Sequence, residues 1–172
     1  MTYIEIKGDL FQHIYREPYN DKMRYTQSNF PVYCHCIAND GKYGAGIAPI
    51  FIDKEFKSRE AVLEQLKSNP WNGKGWCATK LNELEFSQRI LEAHLITKEK
   101  TNGKPTYKTL KESLENLKEK MKNLGMFEYE DVVVIRMPKI GCGLGKLDWE
   151  KVSKIIKKVF KDTPVGIQVY YL

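Results

Sequence analysis

Three glycines, Gly141, Gly143 and Gly145, fall within Met137 to Trp149 (MPKIGCGLGKLDW), too densely spaced for a packed element. Glycine lets a backbone come close to a ligand, and the first N–H groups of a helix have no partner within it. A strand, a glycine loop and a helix N-terminus, in that order, make a cradle for an anion, phosphate above all. The strand here is Asp131-Val-Val-Val-Ile-Arg136, a β-branched run with the pattern of burial. The helix is opened by Asp148, after which Val152, Ile155, Ile156 and Val159 recur at helical spacing. A tight strand-to-helix connection with no ligand has the same outline, so the pattern alone leaves both readings open.

The chain holds a second loop of this kind. Asn39-Asp40-Gly41-Lys42-Tyr43-Gly44-Ala45-Gly46-Ile47-Ala48 follows the sparsely charged strand Val32 to Ala38 and leads into an expected helix from Ile47 to Phe56. Pro49 is acceptable there because the first helical turn needs no N–H donor.

The elements that must position these loops follow from periodicity and punctuation. Tyr3-Ile4-Glu5-Ile6 is a first strand, and residues 12–31, with Pro18, Asn20, Ser28 and Pro31, are a long surface excursion. Ser58 is placed to cap a helix running through Leu66, with Ala61, Val62, Leu63 and Leu66 apolar. A turn over Pro70 to Trp76 precedes two strands, Trp76 to Leu81 and Arg89 to Lys98, that fit an antiparallel pair. The clearest helix begins at Thr106, with Tyr107, Leu110, Leu114, Leu117, Met121 and Leu124 on one face and Gly125 as its stop. Val165 to Leu172 is a closing strand. Alternating strands and helices give an α/β sandwich with a mostly parallel sheet.

With 172 residues, the chain fits one domain, 1–172; 42% hydrophobic and 29% charged residues describe an ordinary soluble protein rather than a disordered one. No apolar run approaches the roughly 18 residues that cross a bilayer, and no signal peptide is visible. Cys34, Cys36, Cys77 and Cys142 are scattered, so they read as reduced thiols of a cytoplasmic protein and not as a zinc site. No metal and no cofactor is implied, and a monomer is the simplest assembly. The net charge of +6 suits a phosphate-bearing partner, although many lysines fall on the 106–124 helix as its solvated face.

Across nearly its whole length the sequence resembles a macrodomain, the ADP-ribose-binding fold. The resemblance rests on Lys7-Gly8-Asp9-Leu10-Phe11, His35-Cys36-Ile37, Gly44-Ala45-Gly46-Ile47-Ala48, Leu95-Ile96-Thr97-Lys98, Lys104-Pro105-Thr106-Tyr107, Pro138-Lys139-Ile140-Gly141-Cys142-Gly143-Leu144 and Val169-Tyr170-Tyr171-Leu172. It is most similar to the branch of terminal ADP-ribose protein glycohydrolases and of antitoxins that remove ADP-ribose from DNA. It implies a three-layer α/β/α fold around a central mixed, mostly parallel sheet, with ADP-ribose or an ADP-ribosylated nucleic acid or protein as partner. Asp9 and Leu10 would meet the adenine. Gly141, Cys142, Gly143, Leu144 and Gly145 would wrap the diphosphate, and Lys139 and Ile140 before them would also bind the substrate. Gly44, Ala45, Gly46 and Ile47 would hold the far phosphate and the distal ribose, and Ala38 would also bind the substrate. Tyr170, Tyr171 or Leu172 would line the adenine slot, or serve as plain core, and Trp149 would pack behind the loop.

The resemblance makes Lys98 the catalytic residue, a nucleophile that attacks the anomeric carbon of the distal ribose. A free lysine titrates near pH 10.4, so the amine must be made neutral before it attacks. The glycohydrolases of this branch carry an aspartate where this chain has Gly145, whereas the DNA-directed antitoxins resemble it there. The preferred substrate is therefore ADP-ribosylated nucleic acid, with protein esters as the next choice. Asp148, His35 and Asp40 are alternative proton carriers, although Asp148 is better placed to cap its helix and His35 to sit in the core. An ADP-ribose 1″-phosphate phosphatase and a non-catalytic ADP-ribose reader are the competing functions.

Overall fold

A computed structural model of the chain describes residues 1–14, 30–43, 45–83, 89–129 and 133–172. Its strands are β1 (Thr2–Lys7), β2 (Val32–Ala38), β3 (Trp76–Glu83), β4 (Arg89–Lys98), β5 (Val133–Pro138) and β6 (Val165–Tyr171). They form one six-stranded sheet in the order β1-β6-β5-β2-β4-β3. Every neighbouring pair is parallel except β3 and β4, which run antiparallel with Trp76 opposite Ile96 and Glu83 opposite Arg89. The helices are α1 (Ile47–Pro49), α2 (Arg59–Ser68), α3 (Tyr107–Asn123), α4 (Met126–Tyr129) and α5 (Trp149–Val159). Among the described residues no helix is long and apolar enough to cross a membrane.

Both faces of the sheet are covered, as a largely parallel sheet requires. Val32 and Cys34 of β2 pack into one core with Leu110, Leu114 and Leu117 of α3 and Val152, Ile156 and Val159 of α5. Tyr33 and Ile37 turn the other way, toward Phe51, Ile52, Val62 and Leu66. The three-layer α/β/α architecture follows from that alternation. Loops leaving β5 and β2, which are adjacent, therefore lead to helices on opposite faces, and a crevice opens between them at the C-terminal ends of the strands.

Several local expectations are corrected. The helix expected from Ile47 to Phe56 is one α-helical turn that passes into a π-helical segment, Ile50–Glu55. Ser58 precedes α2 without capping it, because its hydroxyl donates instead to Glu92 Oε1 at 2.5 Å. Leu124, expected on the buried face of α3, is 47% exposed, since the helix has ended and Gly125 already turns the chain at φ 71°. Thr106 does cap that helix, in a reciprocal box with Thr109. Most of the 12–31 excursion, residues 15–29, lies outside the described residues, as do Asp131 and Val132 at the start of the expected strand.

Candidate active site

The crevice between the β5 and β2 loops is a cavity of about 320 Å³, within the range of small-molecule sites. Its wall comes from three places: the end of β2 and the loop beyond it (Cys36 to Ala38, Tyr43 and Ala45 to Ala48), the end of β4 and its loop (Thr97, Lys98, Thr101 and Pro105), and the end of β5 and its loop (Pro138 to Gly141 and Gly143 to Gly145). Both glycine loops, far apart in the chain, thus line one cavity, and Lys98 lines it with them.

The loop after β5 is folded back on itself. Gly141 takes φ 73°, Leu147 N–H donates to the Gly141 carbonyl at 2.9 Å, and Lys146 N–H donates to Gly143 O at 3.2 Å. Those bonds leave the amides of Gly143, Leu144 and Gly145 with no acceptor among the described residues. Three successive amides of this kind form an anion-binding concavity. The start of α5 does not share the task. Asp148 is its N-cap, and the carboxylate accepts from Glu150 N–H at 2.8 Å and Lys151 N–H at 3.3 Å. An anionic side chain already fills that helix end, so the loop, not the helix, is what remains for a phosphate.

On the opposite wall, Ala45, Gly46 and Ile47 also line the cavity, and Gly46 stands at φ 70° to start α1. Gly44 lies outside the described residues. Tyr43, buried and itself in a positive-φ conformation at 35°, closes this wall.

Lys98 sits at the end of β4, where the pairing with β2 slips: Ile37 faces Ile96, but Ala38 faces Lys98. Thr97 is the extra residue, and bulges of this kind re-aim the side chain that follows. The Thr97 carbonyl is anchored by Thr109 Oγ1 of α3 at 2.7 Å. The Lys98 Nζ donates to the carbonyls of Thr101 at 3.0 Å and Gly103 at 3.2 Å. That loop is pinned in turn by Asp40, which accepts from Thr101 N–H and from Thr101 Oγ1, both at 2.7 Å. Partial burial alone would raise the Asp40 carboxyl, but the bonds from Thr101 and Lys42 outweigh it and hold the group below its usual range.

The cavity offers one other soft nucleophile, Cys36. Burial pushes its thiol up to about 12, so at neutral pH it is protonated and unreactive. Among the cavity-lining residues described, there is no aspartate, glutamate or histidine. His35 is sealed in the core, stacked on Phe51 with ring centroids 3.8 Å apart. Asp40 and Asp148 are engaged as described and do not reach the cavity wall.

The remaining sequence-derived positions divide in two. Ala38, Lys139, Ile140, Gly141 and Leu144 line the cavity, Leu144 at its mouth with 71% exposure. Asp9, Leu10, Cys142 and Leu172 do not. The Asp9 carboxylate accepts from Phe11 N–H at 3.0 Å in a turn after β1, and Leu10 is buried against the second core. Cys142 turns inward against the first core. Asp9 and Leu172 follow β1 and β6, so they share the sheet edge on which the cavity opens; β6 is next to β5, whose loop walls the cavity, and β1 is one strand further out. Tyr170 is core, whereas Tyr171 is partly exposed beneath the Lys139 ammonium, 5.0 Å from the ring centroid. Trp149 donates its indole N–H to Glu5 at 2.8 Å. Thr97, Thr101 and Tyr43 are wall residues that periodicity does not reveal; Thr97 and Thr101 flank Lys98, and that proximity was the available signal.

A family model described as Macro domain matches residues 36–156. A Bos taurus protein named ADP-ribose glycohydrolase OARD1 is 36% identical over 172 residues, covering all of this chain and 91% of its own. A Lodderomyces elongisporus protein named ADP-ribose 1″-phosphate phosphatase is 24% identical over 159 residues, 92% of this chain and 93% of its own. Among solved structures, the macrodomain of Mycobacterium tuberculosis DarG superposes with a TM-score of 0.71 at 18% identity, over 99% of this chain and 98% of that one. At that identity the likeness speaks for the fold.

Proposed function

We propose that this chain, which belongs to the macro domain family, binds ADP-ribose in the cavity and is a hydrolase that releases ADP-ribose from a modified macromolecule. The relatives that share over a third of its sequence carry the name of that activity. The observation that carries the reading is the convergence of the two glycine loops and Lys98 on one cavity. A diphosphate suits the unpaired amides of Gly143, Leu144 and Gly145, and the Ala45–Ile47 wall is left for the distal ribose. That arrangement presents the anomeric carbon to the Lys98 amine.

Lys98 acts as nucleophile in this reading. A bond forms from Nζ to the anomeric carbon as the bond to the acceptor breaks, the acceptor leaves with the electron pair and takes up the proton lost from the amine, and the adduct is a lysyl imine of the opened sugar. Water then adds to that carbon, the carbon–nitrogen bond breaks to restore the lysine, and the ring closes. The carboxylate that resolves this adduct in the glycohydrolases the chain resembles has no counterpart at Gly145, and no other carboxylate lines the described cavity. The resolving proton transfer then falls to water and the ribose hydroxyls. The acceptor is a nucleic acid or a protein side chain, nucleic acid being preferred because the DNA-directed relatives share the glycine.

Wild-type and Lys98→Ala proteins assayed on glutamyl-, seryl- and thymidine-linked ADP-ribose test the reading. Release by the wild type, lost by at least 100-fold in the variant while calorimetry still registers free ADP-ribose binding, is the expected result. Undiminished release by Lys98→Ala removes the lysine from the mechanism. The name of the Lodderomyces elongisporus relative keeps ADP-ribose 1″-phosphate as a second substrate, and inorganic phosphate release from it would move the assignment there.

A further inference from the structure

The amine of Lys98 is not loose in the cavity. It is tied to two backbone carbonyls of the next loop, Thr101 O at 3.0 Å and Gly103 O at 3.2 Å. The loop has its own closure, Gly103 N–H to Lys100 O at 2.9 Å. It is joined to the glycine loop after β2 by four further bonds. Asp40 takes the Thr101 amide and hydroxyl at 2.7 Å each, Asn39 N–H donates to Lys98 O at 2.9 Å, and Asp40 N–H donates to Glu99 O at 3.1 Å. The same carboxylate accepts Lys42 N–H at 3.2 Å, so both its oxygens are in use.

The count of acceptors around Nζ matters. An ammonium has three N–H bonds and no lone pair; a neutral amine has two N–H bonds and one lone pair. Two carbonyls occupy two of the tetrahedral directions at Nζ, and the Cε bond a third, so one direction is left open. Because Lys98 lines the cavity and both carbonyls belong to the loop beside it, that open direction faces away from the loop.

We infer that Asp40 is a positioning residue: through Thr101 it holds the carbonyl pair that aims the Lys98 amine, and it ties that aim to the glycine loop on the far wall. The inference rests on the hydrolase reading above. Asp40 touches no substrate atom; it acts on rate by fixing the angle of attack, where a misplacement of about 1 Å is worth roughly 100-fold.

Asp40→Ala, Asp40→Asn and Thr101→Val are compared with the wild type and with Lys98→Ala on whichever ADP-ribosyl substrate the wild type turns over. The expected result is a 10- to 100-fold fall in kcat for Asp40→Ala, with KM and the calorimetric Kd for free ADP-ribose within about threefold. Asp40→Asn, which keeps one acceptor oxygen, falls between. Amide hydrogen exchange at Thr101 rises in Asp40→Ala because its acceptor is gone. If that variant does not fold, Thr101→Val, which loses only the hydroxyl bond, must show a smaller drop of the same kind, in kcat and not in Kd. Exchange that rises while kcat stays within twofold overturns the inference, as does a parallel loss of kcat and ADP-ribose affinity, which marks a merely structural role. Turnover kept by Asp40→Ala but lost by Lys98→Ala sinks this inference alone; turnover kept by Lys98→Ala sinks the hydrolase reading and the inference with it.

Discussion

Gly145 lies so close to Pro105 that a β-carbon on the glycine would stand 2.9 Å from the proline Cγ, and 2.7 Å from the Gly141 carbonyl oxygen. Neither neighbour yields easily. The proline is buried and ring-closed, and the carbonyl is held by Leu147 N–H. Position 145 is thus glycine by steric requirement in this loop, quite apart from the loss of a carboxylate. Gly145→Asp is expected to lower stability by about 1–3 kcal/mol through overpacking and to weaken ADP-ribose binding at least tenfold, without raising turnover. Gly143→Ala, which meets nothing within 4 Å, should stay within about 0.5 kcal/mol of the wild type. Urea unfolding and calorimetry on the two variants check this. Faster turnover with unchanged affinity in Gly145→Asp would show that the loop gives way.

Acid stability should report on His35. Its Nε2 lies 2.7 Å from His94 Nδ1, and His94 Nε2 lies 3.1 Å from Glu92 Oε1. In the tautomer where His94 donates through Nε2 to Glu92, its Nδ1 accepts and His35 is the donor in that pair. Burial first, and the neighbouring His94 second, hold His35 well below the ordinary imidazole range. A histidine lowered on folding binds its proton more readily when unfolded. Its contribution to stability is therefore complete above the unfolded value, about 6.5, and is lost as pH falls below it, at up to about 1.4 kcal/mol per pH unit. Urea midpoints at pH 7.5, 6.5 and 5.5 should drop more steeply for the wild type than for His35→Gln, which keeps a donor toward His94 but does not titrate. Parallel slopes would acquit His35.

Much of this site was legible because it is built from backbone. Glycine spacing and the flanking apolar runs mark where amides are left unpaired, and these features are local in the chain. What was not legible depends on contacts between distant segments. Ser58 has the chemistry of a helix cap, yet the buried Glu92 claims its hydroxyl. Asp148 was readable as a cap, and the consequence, that α5 has no free N-terminus for a phosphate, needed the carboxylate geometry. Asp40 looked like a proton carrier from its place beside a glycine loop. Only the fold shows both its oxygens held by Thr101 and Lys42, contacts that join two loops distant in the chain. Leu124 continued the apolar period by one step beyond the helix that sets that period.

Gly75, placed by sequence in an unremarkable turn, is expected to be the least replaceable glycine described. A β-carbon there would stand 1.9 Å from the Thr109 carbonyl oxygen, 2.8 Å from its carbon and 3.1 Å from Ser113 N. All three are backbone atoms of α3, so no rotamer change relieves the clash; the helix must move. Thr109 is also the residue whose hydroxyl anchors the Thr97 carbonyl, one residue before Lys98. Gly75→Ala should therefore cost about 2–4 kcal/mol and also lower kcat in the fraction that remains folded, because displacing α3 loosens the bulge that aims the lysine. Gly73→Ala is the matched control: it adopts φ 89° but meets nothing within 4 Å, so strain alone should cost about 1 kcal/mol and leave kcat unchanged. Thermal unfolding and single-turnover rates on the pair separate the two effects, and equal losses in both variants would show that the approach of Gly75 to α3 has no bearing on Lys98.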